Sequence, residues 1–208
     1  MKNIILSFII IFISSSFIQA QGQYEAGMGK AFELWGEGKH KEALALFERI
    51  SNAETSKWIP TYYAANLLVS TAFGIEDKDA RIAQLEKAKE TLEQAHLRSP
   101  ENSEIVSLEG LLYMGYVAMD PPTYAMEYGP KIAQLLQKAV ALNPDNPRAH
   151  ANMIEYEMGT AQFFGQDLKP FCERMAALIP KFENQELSEP FAPSYGLDRA
   201  KALSKDCQ

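Results

Sequence analysis

Three stretches of the chain carry one small-and-bulky spacing: Ala43, Phe47, Ile50; Ala88, Leu92, Ala95; and Ile132, Leu136, Ala139, each with members 4 and 3 residues apart. Successive copies begin 45 and 44 residues apart, and a looser copy, Leu168, Cys172, Met175, follows after 36. Residues four and three apart share one face of an α-helix, so each copy predicts an amphipathic helix presenting the same stripe to the same kind of neighbour. Self-similarity at such a period marks a helical repeat array, whose units bury their apolar faces only against one another. The expected fold is therefore all-α.

In the first unit a helix from Tyr24 to Trp35 is broken at Gly36 and Gly38, and a second runs from Lys39 to Ile50. Pro60 suits the opening turn of the next unit. Ser99-Pro100-Glu101-Asn102 and Asn143-Pro144-Asp145-Asn146 close the second and third units in the same way. Ala31, Leu34, Gly38, Ala43, Phe47 and Ile50 occupy the small, bulky, turn-glycine and second-helix positions of the tetratricopeptide (TPR) repeat, which this unit resembles; Gly27 stands in place of the leading Trp and Thr55 in place of the closing Pro. The chain as a whole is similar to small exported TPR-like proteins of Bacteroidota. The resemblance implies a right-handed solenoid of about four helix-turn-helix hairpins over 21–180. An irregular segment and a C-terminal capping helix, with Leu197, Ala200 and Leu203 on one side, follow over 181–208.

Residues 1–20 are of another kind: Lys2 precedes an apolar run from Ile4 to Ile13, and Ile18-Gln19-Ala20 offers a cleavage site. The run is short for a bilayer span, which takes about 20 residues. An export signal is expected, with a membrane anchor as the alternative, and the mature chain is placed in the periplasm or outside the cell without membrane insertion. Removing Lys2 leaves 19 basic against 27 acidic residues. No Lys/Arg cluster stands out, so nucleic acid is not an expected partner. In an oxidising compartment Cys172 and Cys207 are read as a disulfide tying the tail to the last unit, the alternative being a buried core cysteine beside an unrelated tail thiol.

The third unit carries ten residues more than the repeat requires between Gly110 and Ile132. Pro121-Pro122 and Gly129-Pro130 predict that they form an inserted loop over 120–130, because proline interrupts a helix. His40, His96 and His150 are far apart and lack acidic or cysteine companions at ligand spacing. No phosphate loop, nucleophile elbow or metalloprotease helix appears. Neither a catalytic role, a cofactor nor a metal is predicted.

In a stack of hairpins the loops within units emerge on one edge, which would gather Tyr124, Tyr128, Phe163 and Phe164 with Asp120 and Asp167 nearby. Rigid aromatics with a polar rim suit a recognition patch; they equally suit packing of the inserted segment onto its own helices. A second surface is the groove lined by first helices, to which Tyr62, Asn66, Tyr113, Tyr116 and Tyr156 belong. The expected function is non-catalytic binding of a protein or peptide by the groove or the aromatic edge. The alternative is a small ligand, such as a sugar or lipid fragment, in a pocket under the 120–130 insertion.

Overall fold

The computed structural model describes residues 22–205, and every regular element among them is a helix. Residues 22–36 form α1. It is followed by α2 His40–Ala53, α3 Ile59–Ala72, α4 Lys78–Arg98, α5 Ser103–Met119, α6 Pro121–Leu142, α7 Pro147–Phe163, α8 Lys169–Glu183 and α9 Leu197–Leu203. Each odd helix from α1 to α7 packs on the next even one, and α3, α5 and α7 also touch in sequence. The result is a TPR-like solenoid of four hairpins whose inner layer is α1, α3, α5 and α7, closed by α9 against α8. The expected export signal and Cys207 lie outside the described residues; Cys172 is buried on α8, its sulfur 3.2 Å from the Leu203 carbonyl oxygen of α9.

Local chemistry sets the boundaries. Gly38, at φ 75°, makes the turn between α1 and α2, a left-handed conformation that glycine adopts without steric penalty. Asp77, Asn102, Asp120 and Asn146 accept hydrogen bonds from the first amides of α4, α5, α6 and α7, as capping side chains do. Two of the unit-closing motifs therefore also start the next unit, since Asn102 and Asn146 are their last residues. The repeated stripe forms the seam along which the helices pack: Phe47, Leu92 and Leu136 are buried. Close approach of α5 and α6 requires Gly110, where an added Cβ would stand 2.7 Å from Leu136 Cδ2.

Two expectations are corrected. Residues 120–130 are not a loop: Asp120 ends α5, and α6 runs unbroken from Pro121 through Pro130 to Leu142. Pro121 and Pro122 occupy its first turn, where no intrahelical N–H is required. Gly129 has no Cβ to collide with the Pro130 ring, which removes part of the usual bar on helix before proline. The extra residues lengthen both helices of the third unit. Likewise α8 does not stop at Pro180 but continues to Glu183.

Candidate functional site

The concave face of the solenoid holds a groove of about 1020 Å³. One inner helix after another supplies its wall: Phe32 and Trp35 from α1, Tyr63, Asn66 and Ser70 from α3 with Phe73 just after it, Leu111 and Met114 from α5, and Ala151, Asn152 and Glu155 from α7. The chain between α8 and α9 crosses the face and completes it with Leu187, Phe191, Ala192 and Tyr195. The rings interlock. Phe32 meets Phe47 and Tyr63 edge-on at 5.3 and 4.6 Å, and Phe191 lies nearly parallel to Phe32, 20° off at 6.0 Å. Edge-on and offset contacts of this kind suit the quadrupole of aromatic rings. Phe73, by contrast, is 40% exposed at the groove, with the Arg81 guanidinium over its ring at 5.4 Å from the centroid.

A polar knot anchors the far end. Arg148, 4% exposed on α7, donates from Nε and Nη2 to both oxygens of Glu104 on α5 at 2.9 and 2.6 Å, and from Nη1 to Gln185 Oε1 at 2.9 Å and the Tyr195 carbonyl at 3.2 Å. Burial opposes its charge, but the Glu104 carboxylate outweighs burial and holds the guanidinium above its ordinary pKa. The Tyr62 and Tyr195 hydroxyls share a 2.5 Å hydrogen bond. Although the Tyr195 residue is 41% exposed, its hydroxyl is turned inward, and burial, followed by Glu104, raises its pKa. Tyr62 and Tyr63 are raised as well, first by burial. All three stay neutral phenols, and Tyr62 and Tyr195 use their hydroxyls in the hydrogen bond between them. Asn66, 4% exposed, directs its amide at the Tyr195 hydroxyl, which acts to lower that phenol's pKa, although its Nδ2 forms no hydrogen bond of proper geometry.

The residues picked from sequence are distributed over several places. Tyr124 and Tyr128 stack 5.7 Å apart on α6 and pack on Tyr116 and Tyr113 of α5, with Tyr113 and Tyr128 5.0 Å apart. Lys131 donates to the Tyr113 hydroxyl. Tyr156 reaches across from α7 to donate to the Gly129 carbonyl at 3.0 Å. Asp120 caps α6 and pairs with Lys78 at 2.9 Å, which keeps its carboxyl below the usual range. Asp167 accepts from the Lys169 amide at 3.0 Å at the start of α8. Phe163 and Phe164 touch each other at 5.2 Å and remain 72% and 67% exposed. Of the first-helix residues only Asn66 lines the groove. Tyr62 lies beneath it, and Tyr113 and Tyr116 turn to the other face of α5, towards α6. The groove aromatics Phe32, Trp35, Tyr63 and Phe73, and Arg148, carry no motif; for the first four the available signal was their place on first helices.

No helix among the described residues is long and apolar enough to cross a membrane. No protein-family model matches the chain, and no curated protein matches it by sequence. Among solved structures it is similar to the HusA haemophore from Porphyromonas gingivalis, at 27% identity and a TM-score of 0.73 over 88% of this chain and 92% of that one. It is less similar to MamA 41-end from Desulfovibrio magneticus RS-1, at 18% identity and a TM-score of 0.49 over 78% and 77%.

Proposed function

We propose that this chain is an exported, non-catalytic binding protein that holds a large, flat, mainly apolar molecule of the tetrapyrrole class in its concave groove. The observation that carries this reading is the groove itself, about 1020 Å³ with Phe32, Trp35, Tyr63 and Phe73 along one wall. Pockets for small molecules span about 300–1,000 Å³, so this one suits a ligand at the large end of that range. Its aromatic wall suits a flat one. Similarity to a haemophore over most of both chains supplies the ligand class. The wall residues named above include neither histidine nor cysteine, so the contacts offered are ring faces, a few neutral hydrogen-bonding groups and Glu155, which is paired with Arg199 at 3.0 Å. A ligand pocket under 120–130 is not supported, because that segment is a helix packed on α5.

Titration of the protein with haem and with metal-free protoporphyrin IX, followed by quenching of Trp35 fluorescence, tests this. Both are expected to bind, and Phe73→Ser is expected to weaken binding about tenfold through lost ring contact and apolar burial without loss of fold. Absence of binding, or an unchanged affinity in Phe73→Ser, counts against the groove. A second reading, a protein partner on the loop edge, is favoured by the exposure of Phe163 and Phe164. Ala at both positions leaves tetrapyrrole binding unchanged if the groove is the site.

A further inference from the structure

The segment 184–196, between α8 and α9, lies over the groove as a strap and places two groups where a ligand would put its own. The Phe191 ring is stacked on Phe32, and the Tyr195 hydroxyl takes the hydrogen bond of Tyr62 beside Asn66. We infer that the strap is a built-in occupant of the groove floor, which a flat ligand bearing an oxygen acceptor displaces, stacking on Phe32 and accepting from Asn66 Nδ2. This rests on the groove reading given above.

Three features support displacement rather than permanent packing. The closed strap strains its own chain: Phe191 has φ 64°, a left-handed conformation that a residue with a Cβ rarely adopts. It also leaves the buried Asn66 Nδ2, which faces the Tyr195 hydroxyl, without a hydrogen bond of proper geometry, and buried donors are rarely left so. Lifting the strap relieves both. Finally, it is fastened by a few side-chain points: Trp58 Nε1 to Glu189 at 2.9 Å, Arg148 to Gln185 at 2.9 Å and to the Tyr195 carbonyl at 3.2 Å, the Tyr62–Tyr195 pair, and the Phe191 ring against Tyr24 and Phe32. Gly196 ends the strap at φ 110° and abuts Phe182, where an added Cβ would stand 2.8 Å away.

The sign of one substitution separates an occupant from a wall. Phe191→Gly removes the stacked ring and the strained conformation together, and Tyr195→Phe removes one fastening. If the strap competes, both variants bind protoporphyrin IX more tightly, by roughly fivefold for the loss of one ordinary hydrogen bond in Tyr195→Phe. Weaker or unchanged binding in both variants overturns the proposal. Asn66→Leu supplies a second sign: it removes the orphan donor, so the free protein melts at a higher temperature while protoporphyrin IX binds more weakly. Stronger or unchanged binding overturns Asn66 as the donor. Hydrogen exchange of the ligand-free protein is read independently. The strap amide of Ala192, bonded to the Glu189 carbonyl at 3.1 Å, is expected to exchange far faster than the amides of α5. Equal protection would make the strap part of the core and end the proposal even if no porphyrin binds, whereas fast exchange without porphyrin binding would overturn the ligand class and leave an opening strap.

Discussion

Gly110→Ala is expected to destabilise the protein even though alanine is the better helix former. In the middle of a helix, alanine is favoured over glycine by about 1 kcal/mol. At Gly110, however, the new Cβ would stand 2.7 Å from Leu136 Cδ2 and 3.0 Å from its Cγ. Leu136 is fully buried in the seam and has no free direction to move. Overpacking of this kind costs about 1–3 kcal/mol, so the net effect is a loss of up to about 2 kcal/mol and of about 1 in the middle of the range. Gly159, inside α7, meets nothing within 4 Å, so Gly159→Ala keeps the propensity gain of about 0.5–1 kcal/mol. The two substitutions therefore differ by about 2 kcal/mol, or about 4–8 °C in melting temperature for a chain of this length. Urea titration at an unchanged m-value measures the difference. In the Gly110→Ala background, Leu136→Ala should cost less than it does alone, with a coupling of about 1 kcal/mol. A stabilised Gly110→Ala, or no coupling to Leu136, would refute the close approach of α5 and α6 at this seam.

Arg148→Met leaves the Glu104 carboxylate buried without its partner and is expected to cost about 3–5 kcal/mol; adding Glu104→Gln should recover a large part of it, as read by urea unfolding, and a purely additive double variant would contradict the ion pair's role. Alkaline titration gives a further check. Of the nine tyrosines in the sequence, Tyr24, Tyr62, Tyr63, Tyr116, Tyr128 and Tyr195 are all raised, first by burial, with Tyr24 pushed up to about 12. A group raised in the folded state contributes stability that is complete below its unfolded pKa near 10 and is lost as pH climbs towards the folded value. Phenolate absorbance of these six should therefore rise above pH 10 together with unfolding; a reversible rise of all tyrosines completed near pH 10 would speak against it.

What the sequence made legible was local. The 4-and-3 stripe is a property of one helix, and Phe47, Leu92 and Leu136 are buried where it placed them. The unit-closing motifs are also local, and Asn102 and Asn146 act within two or three residues of themselves. The continuity of α6 is not legible from its Gly-Pro step, because proline signals a helix break while the glycine before it relaxes the clash. Of the five first-helix residues named for the groove only Asn66 lines it, since Tyr62 and Tyr63 are neighbours in sequence and only packing decides which of them faces inward. The strap was illegible for another reason. Its partners are remote, Tyr195 being 133 residues from Tyr62 and Glu189 131 from Trp58, and no periodicity encodes such pairs.

Those remote pairs alter how the molecule comes apart. An open solenoid is nearly one-dimensional: each unit leans on its neighbours, so the ends can fray while the middle survives. Here Phe191, from beyond the last hairpin, is set against Tyr24 and Phe32 of the first helix, with ring centroids at 5.8 and 6.0 Å. The array is thereby fastened end to end. Melting of the first unit removes the seat of the tail, and release of the tail bares the first unit. Fraying from either terminus is coupled to the other, so once both ends are fastened the four hairpins share one cooperative transition.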